Sequence, residues 1–197
     1  MRRYHYHNKK GSRASMKDKF EEVTTKRDVI FEGKIIDVVL DDVKLPNGEM
    51  SKRELVFHNG GVGILAITNE NKIILVKQYR KALEKSILEI PAGKIEKNET
   101  DPLGTARREL EEETAYQAEN FTEFSRFITS PGFSNEELVL YHATGLTKVD
   151  NPLPQDEDEF LEIVEYNLDE VKSKIATGEI CDAKTLYAVL YWETVMK

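Results

Sequence analysis

Four glutamates, Glu109, Glu111, Glu112 and Glu113, fall within five consecutive positions of the segment PAGKIEKNETDPLGTARRELEEETAY, residues 91–116. Residues three and four apart share a face of an α-helix, so Glu109, Glu112 and Glu113 converge while Glu111 points elsewhere. Like charges at that spacing repel. A divalent cation relieves the repulsion, because hard Mg²⁺ or Mn²⁺ takes oxygen ligands, keeps several waters and bridges to substrate phosphates. The alternative use of such a run is a solvated face with Arg107 and Arg108 as partners. Two neighbours favour the cation: Gly93 lets a loop backbone approach it closely, and Glu99 is placed to pair Arg108.

Such a site needs a scaffold, and 197 residues suit one compact domain with a small appended element. No apolar run approaches the ~20 residues that span a bilayer, and no signal-peptide pattern is present. The single cysteine, Cys181, excludes an internal disulfide, so a soluble, cytoplasmic protein is expected. With no histidine motif beside it, Cys181 is expected to be a buried structural residue. A net charge of −8 argues against gripping nucleic acid, which needs many Lys and Arg contacts. Residues 1–15, MRRYHYHNKKGSRAS, are basic and precede Met16, and read as a leader or disordered arm. His5 and His7 there have no further ligands nearby.

The remainder reads as alternating elements. GKIIDVVLDDVKL and KRELVFH, joined by the turn PNGE, predict an antiparallel hairpin within an N-terminal element at 16–57. VGILAIT and KIILVKQYR predict central strands, and SILEIPAG a short strand ended by Pro91 and Gly93. Asp101 can cap a helix whose first position suits Pro102. Leu103, Ala106, Leu110 and Thr114 predict its core-facing stripe, opposite the acids. FTEFSRFIT and ELVLYHATGL predict strands around the loop SPGFSNE, LEIVEYN another strand, and two helices follow, near 168–176 and from 182 onward. Strands and helices in this order predict the α/β (α+β) class, with a mixed sheet between helices over 58–197.

Gly93, Glu99 and Arg108-Glu109-Leu110-x-Glu112-Glu113 together resemble the signature of the Nudix hydrolases, which cleave a nucleoside diphosphate joined to another group. Two departures stand out. Eight residues separate Glu99 from Arg108 where the family has seven, and Ala115 replaces a glycine after the helix. The extra residue falls beside Asp101-Pro102, outside the ligand spacing; Ala115 costs roughly 1 kcal/mol if its position is left-handed. The resemblance covers most of residues 30–195 and is strongest to bacterial ADP-ribose pyrophosphatases, through LVKQYRKALEKSILEIPAGK, SPGFSNE and DEDEFLE.

That resemblance implies a Nudix-type α/β/α sandwich with a mixed sheet, plus a small N-terminal antiparallel β element. It implies a homodimer in which this element packs on the partner chain and helps build the site. The implied reaction is Mg²⁺-dependent hydrolysis of ADP-ribose to AMP and ribose 5-phosphate, Mn²⁺ being the substitute, with no membrane or nucleic-acid partner. Carried over by residue, the Ala92 carbonyl with Glu109, Glu112 and Glu113 would ligate the metal, Glu112 and Glu113 being essential to catalysis. Arg108 would pair Glu99. Arg80 would contact the nucleotide, Arg53 would reach a phosphate across the dimer, Glu136 would lie near the metals or the terminal ribose, and Phe133 would line the pocket. Of Glu157 and Glu159, one would take a proton from water and the other would touch metal. The signature handles only the pyrophosphate, so another nucleoside diphosphate sugar or a dinucleotide stays open, as does a non-catalytic nucleotide sensor on the same fold.

Overall fold

The computed structural model describes residues 18–97, 99–155 and 159–195; the expected leader at 1–15 lies outside them. Strands β1 (Val23–Glu32), β2 (Ile36–Lys44) and β3 (Met50–His58) form an antiparallel sheet in the order β1-β2-β3. The expected hairpin is thus two thirds of a meander. β1 escapes the alternation rule because Thr24 to Asp28 interrupt its apolar residues and its side chains are almost all exposed. The central strand β2 does alternate, burying Asp37, Val39, Asp41 and Val43 on one face. Its Asp41 carboxylate is paired with Arg27 at 2.7 Å and accepts from the Thr24 hydroxyl at 3.0 Å, which satisfies a charge that burial would otherwise penalise. At the far end, Val56 N–H donates to the Phe133 carbonyl at 2.8 Å and His58 N–H to Asn135 Oδ1 at 2.8 Å, tying the sheet to the main body.

The main body begins with β4 (Gly61–Ala66), β5 (Ile73–Arg80), β6 (Lys85–Glu89) and the short β7 (Ala92–Lys94). Helix α1 (Pro102–Thr114) leads into β8 (Tyr116–Ile128) and β9 (Glu137–Lys148), then β10 (Glu162–Tyr166), α2 (Leu168–Ala176) and α3 (Ala183–Val195). One sheet has the order β7-β4-β9-β8, with β4 and β9 parallel, and the other β10-β5-β6. β4 is buried throughout, and its period of two divides its side chains between two clusters. Val62, Ile64 and Ala66 pack with Ala106 and Leu110 of α1; Leu65 joins Ile73, Leu75, Val171, Val189 and Trp192 beneath α2 and α3. This is the expected sandwich of helices around mixed strands. Among the described residues no helix is long and apolar enough to cross a membrane.

Asp101 caps α1, accepting from Leu103 N–H at 3.1 Å, and Pro102 opens the helix as the spacing predicts. Its end is less comfortable. Ala115 adopts φ 57°, ψ 27°, the left-handed region that glycine occupies without a Cβ clash. The reversal starts β8 at Tyr116, ahead of the Phe121 that its alternation indicates. Replacing Ala115 with glycine should stabilise the protein by roughly 1 kcal/mol, raising the midpoint of thermal unfolding by about 2–4 °C. Differential scanning calorimetry of Ala115→Gly checks this, and an unchanged or lower midpoint would count against a strained cap.

Candidate active site

Successive residues on a helix are about 100° apart, so burying Ala106 and Leu110 carries the adjoining row toward the interior too. Glu109 is 8% exposed and Glu113 2% exposed. The stripe of Ala106, Leu110 and Thr114 is buried as predicted, but two of the acids border it instead of lying opposite. Glu113 Oε2 accepts from the Ala92 backbone N–H at 3.0 Å, which fastens the helix to β7. Gly93 then lies so close to Glu109 that a Cβ there would stand 1.9 Å from the carboxyl carbon. A backbone bare of side chain and a buried carboxylate thus meet where the Gly93 reading placed them.

Burial is the largest influence on both groups. It pushes Glu109 up to about 7, against the opposing charge of Arg108, and pushes Glu113 up to about 8, against the Ala92 hydrogen bond. Each also feels the negative charge of Glu159, and Glu113 that of Glu109. Arg108 is the local counter-ion, reaching Glu112 at 2.5 Å and Glu109 at 2.8 Å. Its expected partner Glu99 forms a longer ion pair with it at 3.8 Å and also accepts from Glu96 N–H and the Thr105 hydroxyl. Among the described residues no three carboxylate or imidazole groups are already gathered around a cation position, Glu112 being drawn to Arg108. The donor set still fits one. Oxygen donors, a Cβ-less wall and two carboxylates that neutralise by holding protons are what a hard divalent ion would replace.

Beside this wall lies a cleft of about 340 Å³, lined by His58, Arg80, Ala92, Gly93, Glu136 and Lys184 among others. Arg80 makes a fork to Glu89 through Nε at 2.5 Å and Nη2 at 2.9 Å. Glu136 accepts from the Thr129 hydroxyl at 2.6 Å and stands 3.6 Å from His58. Phe133 belongs to a second cleft with Arg27 and Asp41, where its ring is half exposed. Arg53 is bonded at 2.6 and 2.8 Å to Glu22, just ahead of β1, and does not line the Arg80 cleft. Glu157 lies outside the described residues. Glu111, read as a surface group, accepts from Gln117 at 2.7 Å and from Leu153 N–H at 3.2 Å. Cys181 is exposed, not buried as expected: it falls in the turn between Ile180, which fills the core, and the start of α3.

Glu89 and Lys184, which the sequence reading did not single out, meet beside the cleft. Both carried a signal. Glu89 is a charge inside the apolar run Ile87 to Ile90, and a cation at the start of α3 opposes the helix dipole, so each needed a partner.

The raised carboxyls make stability pH-dependent. The folded, metal-free protein holds protons on Glu109 and Glu113 that the unfolded chain sheds near 4.5, so these groups stabilise most below 4.5 and the contribution is lost as pH rises through about 7 and 8. Burial lowers the pKa of His142, so it opposes this fall up to about pH 7.5 and adds almost no slope above it, being neutral folded or unfolded. In chelator, the unfolding midpoint should fall between pH 7 and 8.5, and Glu113→Gln should flatten the fall. A profile rising over that range would contradict the assignment.

Comparison with known proteins agrees with this geometry. The NUDIX domain matches residues 57–188. The chain is 55% identical over 172 residues to the methanol dehydrogenase activator of Bacillus methanolicus, covering 87% of this chain and 92% of that protein. It is 50% identical over 171 residues to the ADP-ribose pyrophosphatase of Bacillus subtilis (strain 168), again covering 87% and 92%. A crystal structure of an ADP compounds hydrolase superposes with a TM-score of 0.77 at 22% identity, over 86% of this chain and 91% of the other, and shares the fold. With the match spanning two thirds of its length and both flanks of the carboxylate helix, the chain belongs to the Nudix family.

Proposed function

We propose that this chain is a hydrolase that cleaves the pyrophosphate of ADP-ribose to AMP and ribose 5-phosphate, working as a homodimer with Mg²⁺ or Mn²⁺ in a cytoplasmic setting. The observation that carries the reading is the buried pair Glu109 and Glu113 against Gly93, on the wall of a cleft that also holds Arg80. Carboxylates alone would repel a pyrophosphate, so a cation has to stand between them. The substrate is taken from the Bacillus subtilis relative.

Glu109, Glu113 and the Ala92 carbonyl are the groups to hold the ion, joined by Glu112 once it exchanges Arg108 for metal. When bound, the ion neutralises phosphate oxygens and lowers the pKa of water. Glu159, whose charge acts on both Glu109 and Glu113, is the residue to accept the proton of the attacking water; Glu157 is the alternative. Arg80 presents a planar donor edge to the nucleotide. Glu136, beside His58 and Thr129 in the same cleft, takes the hydroxyls of the terminal ribose, and Phe133 offers an exposed ring for stacking.

Dimerisation is read from the N-terminal sheet, where four large apolar residues close in sequence, Val29, Ile30, Phe31 and Ile35, are each more than half exposed. In the dimer, Arg53 would serve the partner's site. The 55% identity to the methanol dehydrogenase activator favours a second reading, in which the chain raises the rate of a dehydrogenase.

Initial rates on ADP-ribose, GDP-mannose, NADH and diadenosine polyphosphates, with and without Mg²⁺, test the substrate: ADP-ribose should be preferred and turnover should need the metal. Binding without product would instead mark a nucleotide sensor. Glu112→Gln and Glu113→Gln should each lower turnover by roughly 10²-fold or more with folding intact. Gly93→Ala should do likewise by displacing the Glu109 carboxylate, and near-normal rates in all three would refute the site. Light scattering should give twice the chain mass. Adding the chain or its Glu113→Gln variant to methanol dehydrogenase tests the second reading, and any stimulation should be lost in the variant if it depends on hydrolysis.

A further inference from the structure

The cleft contains a charged knot that the metal chemistry does not use. Glu89 is 2% exposed, yet its carboxylate accepts from Arg80 through two nitrogens and from the Lys184 ammonium on Oε2. Lys184 is itself mostly buried and also reaches Asp182 at 2.9 Å. The knot is held rigidly. Leu88 N–H donates to the Glu179 carbonyl at 2.8 Å and Ile90 N–H to the Thr185 hydroxyl at 3.0 Å, so β6 is pinned to the chain entering α3 on either side of Glu89. Burial acts to raise the Glu89 carboxyl, and the bonds from Arg80 with the charge of Lys184 outweigh it, keeping Glu89 ionised.

Two cations therefore share one buried carboxylate, and they do so unequally. Arg80 spends Nε and Nη2 on Glu89, while its Nη1 has no partner among the described residues and its side chain is the more exposed of the two, 40% against 12%. Arg80, Lys184 and Asp182 all line the same cleft as Ala92 and Gly93. Without Lys184, the Glu89 charge would have Arg80 as its one bonded counter-ion. A buried carboxylate so placed draws the guanidinium fully inward, the one cation left to offset its charge. That withdraws Arg80 from the cleft.

We propose that Lys184 is a positioning residue for substrate binding: by sharing Glu89 with Arg80 it leaves the Nη1 edge of Arg80, and its charge, for an anionic group of a nucleotide. The assignment rests on the nucleotide hydrolysis proposed above, and goes beyond it by making substrate affinity depend on a lysine that need not touch substrate.

Steady-state kinetics on ADP-ribose with saturating Mg²⁺ test it. Lys184→Met should raise KM roughly tenfold, the scale of one charge-assisted hydrogen bond, with kcat within about threefold of wild type. Lys184→Arg, which keeps the charge, should stay within about threefold in both. The double variant Glu89→Gln/Lys184→Met removes the carboxylate charge together with its second counter-ion, so KM should return to within about threefold of wild type. If Lys184→Met fails to fold, Lys184→Gln, which removes the charge but keeps a polar end, takes its place, and its KM should rise by the same factor. An unchanged KM in Lys184→Met, or a KM still raised tenfold in the double variant, overturns the proposal. Absence of hydrolysis in the wild type would instead overturn the underlying function, a result that cannot be confused with either.

Discussion

The burial of Glu113 beside Leu110 is the constraint on which the site depends. Ala106 and Leu110 must pack on β4 to close one of the two hydrophobic clusters, and full burial of a leucine side chain contributes about 2 kcal/mol or more. The helix cannot rotate to bring Glu109 and Glu113 into water without exposing that stripe. The cost falls on the carboxylates, which keep their protons to about pH 7 and 8 in the absence of a cation. The fold therefore stores a demand for positive charge at one place. Arg108 meets part of that demand from the rim, through Glu109 and Glu112, and leaves Glu113 to the Ala92 amide.

Glu89 is the second buried carboxylate near the cleft, and the contrast with Glu113 is instructive. Both are nearly inaccessible to water, but Glu89 is met by a guanidinium fork and an ammonium, and is held below the ordinary carboxylate range, whereas Glu113 is pushed above it. Full pairing makes the first a structural anchor. Incomplete pairing leaves the second as the candidate for a cation, as proposed above. The two knots stand on different elements, β6 with α3 and α1 with β7, so the cleft between them is shaped by the packing of both clusters on the central strands.

The N-terminal sheet follows a different logic. Its central strand buries Val39 and Val43 and neutralises Asp41 within the sheet itself, so it is complete as a small unit, while β1 leaves Val29, Ile30 and Phe31 exposed. It meets the main body through the end of β3 and the loop at 133–135.

Sequence periodicity alone was enough to place β2 to β5, α1 with its Asp101 cap and Pro102 start, and the closing helices, because alternation and the 3.6-residue stripe are local consequences of burying one face. It also brought Gly93, Glu109, Glu112 and Glu113 forward as a group, since helical spacing and an absent Cβ are visible in one dimension. The strain at Ala115 was legible for the same reason, as a side chain where glycine relieves the turn. What needed the tertiary structure was every pairing between distant elements. β1 carries no clean alternation, and its strand exists through its ladder to β2. Arg80, Glu89 and Lys184 are joined only when β5, β6 and α3 pack together. Above all, spacing shows which carboxylates share a face but not how deeply that face is buried, and it is depth, through the loss of water around a charge, that turns a run of glutamates into a site.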